Sequence, residues 1–270
     1  GIAVYGPIGV ARCRASGKIR ALESRLAEHP LDGTIGIGHT RWATHGGPTE
    51  ANAHPHKVGR VSLVHNGIIE NYAELKAALK AKGAIFESET DTEVIAHVLN
   101  EALDTGLPPI EALKSTLDKL TGAFALAVLI EGEDNLMLGA RRGSPLVVGY
   151  GDGEMFLGSD ALAVGPFTSK IAYLDEGDFV AIDHATARIF NSAGQPVTRQ
   201  IRIVSASAAL VEKGNYRHFM EKEIHEQPES VQNAVRGRLD LLNGTAVLSG
   251  MSATARELLE LQRIVMVGCG

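Results

Sequence analysis

Apolar residues recur at helical spacing in four segments of the first half of the chain, which begin near Lys18, Asn71, Thr90 and Pro108. Asn71 is placed to cap the second segment, and Gly83 follows its last turn. Thr90 and Glu93 have the spacing of a capping box at the start of the third. We therefore predict four helices before residue 121.

Short apolar segments separated by turns make up most of the remaining pattern, and they predict strands. They lie at residues 2–5, 34–39, 61–64, 123–130, 136–140, 146–148, 154–157, 170–174 and 178–183. The run 123–130 is apolar throughout, which is typical of a strand covered on both faces. Tight turns between such strands indicate antiparallel pairing, and helices followed by strands indicate an α+β fold.

Polar groups suited to binding a small molecule are concentrated at residues 39–48, 52–56, 65–67 and 89–93. Together these pieces suit a free amino acid, because such a ligand carries a carboxylate and an ammonium on one carbon. Arg41 can bind the carboxylate with two parallel hydrogen bonds, and Asp91 can bind the ammonium. Asp91 would also be favourable as a plain acid in the first turn of a helix.

Asn66 and Gly67 offer two N–H donors side by side, one from a side chain and one from the backbone. Such a pair can stabilise the oxyanion that forms when an amide is attacked. Asn-Gly is also a strong signal for a hairpin turn, which is the structural alternative. Because Ile68 and Ile69 lead into a helix and not into a clear second strand, we favour the functional interpretation.

Five motifs in this order resemble one family, namely HTRWATHG, NAHPH, HNGIIENY, ETDTEVIAH and ARRGSPLVVG. The family is that of the glucosamine-6-phosphate synthases, also called glutamine–fructose-6-phosphate aminotransferases (isomerizing), and the likeness is to their glutaminase domain. It covers nearly the whole chain. The resemblance implies the N-terminal-nucleophile hydrolase fold, an αββα sandwich of two stacked antiparallel sheets.

The resemblance also implies residue roles. It implies a glutamine site formed by Arg41, Thr44, His45 and Asp91. Asn66 and Gly67 match the oxyanion hole, and Trp42 matches a residue that closes the ammonia passage between two domains. The implied nucleophile is a cysteine at the mature N-terminus. This chain begins at Gly1, so we expect the nucleophile upstream of it, and we expect residues 1–270 alone to be inactive and poorly soluble.

The resemblance implies that the parent protein is an enzyme. The implied reaction transfers ammonia from L-glutamine to fructose 6-phosphate and yields glucosamine 6-phosphate and glutamate. The resemblance implies no cofactor. It implies that the parent protein is a homodimer. Two alternatives remain open. One is the glutaminase domain of another amidotransferase, of the phosphoribosyl or asparagine-forming type. The other is a non-catalytic module that binds glutamine.

The expected domain organisation also follows the resemblance. Residues 1–205 correspond to the glutaminase domain, truncated at its start, and residues 206–215 to a linker. Residues 216–270 correspond to the beginning of an α/β sugar-isomerase domain, with a helix from residue 216 toward Pro228 and a strand from residue 263. The acceptor-sugar site is expected outside this chain.

Charge and cysteine content narrow the range of possible binding partners and cellular compartments. A formal net charge of −6 and a pI near 5.9 argue against nucleic acid, and no apolar run approaches a membrane span. Cys13 and Cys269 form no disulfide framework, which favours a reducing cytoplasm. Cys13 lies between Arg12 and Arg14, but in a strand both arginines point to the opposite face, so a structural role is preferred over a catalytic one.

His54 and His56 have the His-x-His spacing of some zinc sites. A proline separates them, and no carboxylate lies at the usual short spacing. We therefore prefer hydrogen-bonded packing around the site for both, and we expect no metal.

Overall fold

The computed structural model describes residues 1–41, 45–204, 218–235, 239–240 and 245–246, together with positions 260, 262, 263 and 265. The chain divides into two compact units, Gly1–Val211 and Glu212–Gly270. Within these described ranges, no helix is long and apolar enough to cross a membrane.

The described part of the first unit contains the four helices and nine strands predicted for it, together with five strands and one helical turn that were not predicted. Its strands are β1 Ile2–Gly6, β2 Gly9–Cys13, β3 Ile35–Gly38, β4 His56–Val58, β5 Val61–Ile69, β6 Gly122–Ile130, β7 Met137–Arg142, β8 Val147–Tyr150, β9 Met155–Gly158, β10 Lys170–Tyr173, β11 Phe179–Ile182, β12 Ala187–Phe190, β13 Pro196–Val197 and β14 Ile201–Ile203. Its helices are α1 Ile19–Glu28, α2 Tyr72–Ala81, α3 Thr92–Asp104, α4 Pro109–Leu117 and the single turn α5 Ala161–Val164.

A central antiparallel sheet of seven strands has the spatial order β13, β12, β11, β7, β6, β5, β4. Its longest ladder joins β5 and β6, and it is continuous from Val61 opposite Ile130 to Ile69 opposite Gly122. Helices α3 and α4 cover one face, where Leu99 and Leu113 are fully buried in one core with residues of β5 and β6. The apolar run of β6 is therefore covered on both faces, as predicted.

The other face of the central sheet is covered by two smaller antiparallel sheets, in the orders β2–β1–β3 and β14–β10–β8–β9. The first buries Ala3 and Ile37 against Leu129 of β6, and the second buries Val148 against Val180 of β11. The turn α5 packs Val164 on the outer side of the second sheet. The expected stack of antiparallel sheets between helices is confirmed, with the second layer divided in two.

One predicted helix cap is wrong. Asn71 does precede α2, but its side chain makes no capping hydrogen bond. Instead its Nδ2 donates to the Lys119 carbonyl at 2.8 Å, and its Oδ1 accepts from the Thr121 N–H at 3.0 Å. These partners lie next to β6 in the fold and far away in sequence, so spacing alone favours the local bond. Gly83 does follow the helix with a φ of +93°, as its predicted role requires.

In the second unit, α6 spans Phe219–Val235, which confirms the predicted helix and extends it. The helix contains Pro228 and continues beyond it to Val235. Two short strands, β15 Leu239–Asp240 and β16 Thr245–Ala246, pair antiparallel. The expected linker and most of the expected strand from residue 263 lie outside the described residues.

Candidate active site

A cavity of about 280 Å³ lies where the chain leaves β3, passes along the middle of β5 and enters α3. Four of the five sequence motifs therefore contribute to one wall. The lining residues are His39, Thr40, Arg41, His54, His65, Asn66, Gly67, Ile68, Thr90, Asp91 and Thr92. Four of the residues selected from the sequence, Arg41, Asn66, Gly67 and Asp91, are thus brought together.

Arg41 closes the loop that follows it in the chain. Its Nη1 donates to the Gly47 carbonyl at 2.9 Å, and its Nη2 donates to the carbonyls of Gly46, at 3.2 Å, and His45. Burial lowers the pKa of Arg41, and the nearby Asp91 carboxylate opposes that shift. A guanidinium does not lose its proton in proteins, so the loop holds a cation at the edge of the cavity.

Asn66 and Gly67 lie inside β5 and not in a hairpin turn, because the β5–β6 ladder continues through both of them. They and Ile68 are nevertheless exposed, although most of this strand is buried. Gly67 has a φ of +121°, and a Cβ there would lie 2.0 Å from the Ala123 carbonyl oxygen. Only glycine fits this backbone, which leaves the strand bare beside the cavity.

Asp91 is 3% exposed and occupies the position just before α3. Its Oδ2 accepts a hydrogen bond from the Ile69 N–H at 2.8 Å, which joins the end of β5 to the start of the helix. This bond holds the carboxylate on the same cavity as Arg41. The carboxylate does not cap its own helix, so its position depends on β5.

The loop before Asp91 is held by Glu93, which corrects the predicted capping box. Thr90 Oγ1 does accept from the Glu93 N–H, at 3.4 Å. The Glu93 carboxylate, however, accepts from the N–H groups of Glu87 and Ser88, both at 2.7 Å, and from the Ser88 hydroxyl at 2.6 Å. Burial alone would raise the pKa of Glu93, but the nearby His97 ring, whose Nε2 lies 3.8 Å from Glu93 Oε1, and these hydrogen bonds outweigh it and lower the pKa to about 2.

Four histidines pack around the inner end of the cavity. The rings of His39 and His54 lie 4.3 Å apart between centroids, and those of His54 and His56 lie 4.9 Å apart. Thr92 Oγ1 lies 3.0 Å from both His54 Nε2 and His65 Nδ1. Because a hydroxyl has one proton, it donates to one of these rings and accepts from the other, which couples their tautomers.

Burial keeps these rings neutral. It lowers the pKa of His56 to about 3 and that of His65 to about 4, and it also lowers the pKa values of His39 and His54. Each neutral ring offers one donor and one acceptor. Within the described part of the chain, His39 Nδ1, His54 Nδ1 and His65 Nε2 are buried without a hydrogen-bond partner.

The zinc alternative finds no support in this geometry. Among the described residues, no group of three or more histidines, cysteines or acids is arranged to hold a metal ion. The His56 ring instead contacts Thr90 Oγ1 at 3.2 Å, which agrees with packing around the site. Cys13 ends β2 opposite Ile2 and does not line the cavity. Cys269 lies outside the described residues.

Of the remaining predicted site residues, His45 is described by the structure and is not among the residues that line this cavity. His45 packs its ring edge against Tyr72, with centroids 5.0 Å apart. Trp42 and Thr44 lie outside the described residues. Sequence reasoning did not select His39 or Thr92, although both fall inside the motifs that carry the resemblance. The sequence gives little reason to select them, because a polar residue within a motif does not reveal which group it will bond to in the fold.

Comparison with known proteins finds a matching family model and similar sequences. The family model described as "Glutamine amidotransferase domain" matches residues 39–165. A protein of Caulobacter vibrioides named glutamine–fructose-6-phosphate aminotransferase [isomerizing] is 61% identical over 269 residues, which are 99% of this chain and 44% of that protein. A protein of the same name from Bradyrhizobium diazoefficiens is 49% identical over 270 residues, again 44% of its length.

Solved structures agree on the fold. Glutamine phosphoribosylpyrophosphate amidotransferase from B. subtilis superposes with a TM-score of 0.60 at 23% identity, over 71% of this chain and 42% of that one. The chain spans less than half the length of the relatives it matches. The fold expected from the resemblance is confirmed. Residues 39–165 therefore match a glutamine amidotransferase domain, and the chain as a whole is similar to part of the aminotransferases named above.

Proposed function

We propose that this cavity binds L-glutamine and that the whole protein hydrolyses its side-chain amide. The observation that carries the proposal is the convergence of Arg41, Asp91 and Asn66 on one cavity. A cation and a buried carboxylate suit the two charges of an amino acid, and an amide donor suits the group that reacts. His45, Trp42 and Thr44 are proposed to complete the site, on the resemblance alone.

The proposed chemistry is nucleophilic. The thiol of an N-terminal cysteine, as the resemblance implies, attacks the amide carbon, and the carbonyl oxygen becomes an oxyanion. Asn66 Nδ2 and the Gly67 N–H donate to that oxyanion. The tetrahedral intermediate collapses with loss of ammonia to a thioester, which water hydrolyses to glutamate and the thiol. Arg41 and Asp91 hold the α-carboxylate and α-ammonium throughout, so the amide stays aligned with its donors.

We further propose that the ammonia goes to fructose 6-phosphate, which makes the whole protein an isomerizing transaminase. This rests on the names of relatives up to 61% identical to the chain. The sugar is proposed to bind outside residues 1–270, with residues 1–205 as the glutaminase domain, 206–215 as linker and 216–270 as the start of the isomerase domain. The division into two units near residue 211 supports this arrangement. A homodimer in the cytoplasm is proposed from the resemblance.

The test is a product assay on the whole protein. With glutamine and fructose 6-phosphate, we expect glutamate and glucosamine 6-phosphate in equal amounts. Glutamate without the amino sugar would retain the glutaminase and reject the acceptor; phosphoribosyl pyrophosphate, or aspartate with ATP, would then be supplied in turn. Glutamine binding without any glutamate would favour the non-catalytic module.

A further inference from the structure

The Asn66 side chain has two orientations of nearly equal shape, and they differ only in which end carries the oxygen. In this structure Asn66 Oδ1 lies 2.8 Å from His39 Nε2. The NH₂ group is therefore the end turned away from His39. The reversed orientation would present a carbonyl oxygen at that place, which repels an oxyanion.

The orientation depends on the proton of His39. Burial lowers the pKa of His39, so the ring is neutral and has one N–H. If that proton is on Nε2, the ring donates to Asn66 Oδ1. If it is on Nδ1, Nε2 becomes an acceptor and attracts the NH₂ group instead.

The surroundings favour a proton on Nε2. Within the described residues His39 Nδ1 is buried and has no hydrogen-bond partner. A buried N–H without an acceptor is among the rarest features of native proteins, whereas an unfilled acceptor is tolerated more often. The ring itself is held by β3, which ends at Gly38, and by the His54 ring against it.

We propose that His39 is a positioning residue, whose Nε2–H holds the Asn66 carbonyl oxygen and so directs the Asn66 NH₂ group into the cavity. This inference rests on the proposed function, in which that NH₂ group meets the oxyanion. In this scheme His39 acts on the reaction through Asn66, and its ring also lines the cavity.

The first test is a double-mutant cycle in the whole protein with glutamine as substrate. His39→Ala lowers kcat about tenfold or more with little change in KM, because a misdirected donor is missed mainly in the transition state. In an Asn66→Ala background the same change has less than about a twofold effect, because nothing remains to be positioned. His39→Gln, whose amide can donate from a similar place, restores part of the rate.

The matched control is His184→Ala. His184 also pairs with an asparagine, Asn135, at 3.0 Å, but on an exposed turn. The His184→Ala variant leaves kcat unchanged. A His39→Ala effect of equal size in both backgrounds, accompanied by a lower melting temperature, would mean that His39 only stabilises the fold, and the proposal would be wrong.

The second test does not depend on activity. Selective ¹⁵N labelling of histidine in the whole protein shows which ring nitrogen carries the proton, and the His39 signals are assigned by their loss in His39→Gln. The expected state at pH 7 is the Nε2–H tautomer. An Nδ1–H tautomer would overturn the proposal. If the protein releases no glutamate from glutamine, the proposed function fails, while this measurement still decides how Asn66 is oriented.

Discussion

Asn52 and Glu89 exchange hydrogen bonds in both directions: Asn52 Nδ2 donates to Glu89 Oε2 at 2.9 Å, and the Glu89 N–H donates to Asn52 Oδ1 at 2.9 Å. Asn52 Nδ2 also donates to the Gly47 carbonyl at 3.1 Å. The pair ties the loop that follows Arg41 to the loop that leads to Asp91. We therefore expect the spacing of the two proposed charge-binding groups to depend on this pair of hydrogen bonds.

Asn52→Ala should therefore weaken glutamine binding more than it slows the chemical step. We expect KM for glutamine to rise about fivefold, with kcat within about threefold of the original, because Asn66 and Gly67 keep their place on β5. Steady-state glutamate release from the whole protein measures both constants. The control is Asn191→Ala, which removes the side-chain bonds of a remote turn and should leave KM unchanged. A normal KM in Asn52→Ala would contradict the proposed role of this pair of hydrogen bonds.

Arg41→Lys should raise KM for glutamine by about tenfold or more, which corresponds to about 1.4 kcal/mol, because an ammonium cannot bind a carboxylate with two parallel N–H groups. It also cannot hold the carbonyls of residues 45–47 in the same way. Arg60→Lys, an exposed change away from the cavity, is the control. An unchanged KM for Arg41→Lys would remove Arg41 from the proposed glutamine site.

Asn66→Ala should lower kcat for glutamine hydrolysis by roughly a hundredfold or more, with a modest effect on KM, because the lost donor acts mainly on the oxyanion. The melting temperature is measured beside the rate. Normal turnover per folded molecule in a less stable protein would show that Asn66 serves the strand and not the reaction.

Gly67→Ala and Gly83→Ala form a matched pair, because both glycines have positive φ and only one is crowded. Gly83 has nothing within 4 Å of the added Cβ, so strain alone should lower the free energy of unfolding by about 1–2 kcal/mol. At Gly67 the Cβ meets the Ala123 carbonyl, and the loss should exceed about 3 kcal/mol. Urea unfolding of the whole protein measures both free energies. Equal losses of unfolding free energy in the two variants would mean that the backbone of β5 can shift at Gly67 to accommodate a Cβ.

Glu93 should make the fold sensitive to acid. Its pKa is lowered from 4.5 to about 2, so its contribution to stability is present above about pH 4.5 and is lost as the pH falls toward 2. The size is on the order of 3 kcal/mol. Glu93→Gln should remove that part of the pH dependence and lower stability at pH 7, whereas Glu111→Gln, on the exposed side of α4, should do neither. Parallel pH profiles for Glu93→Gln and the original protein would contradict the assignment.

Most elements could be predicted from the sequence because the signals that form them are local. The apolar run of β6, the helical spacing of α3 and α4 and the turns between later strands each depend on residues a few positions apart. The four cavity residues Arg41, Asn66, Gly67 and Asp91 were likewise found as chemical types, since a cation, an acid and a donor pair suit an amino acid without reference to a fold. The roles of these residues in binding and catalysis stay predictions.

Only the tertiary structure decided which groups are bonded to one another. His39 and Asn66 are 27 positions apart, and Asn52 and Glu89 are 37 apart. Asn71 has the spacing of a helix cap, yet its side chain binds Thr121, which is 50 positions away. The reason is physical: a side chain bonds to whichever partner the packed sheets bring within about 3 Å, and local spacing carries no information about a strand or loop that arrives from elsewhere in the chain.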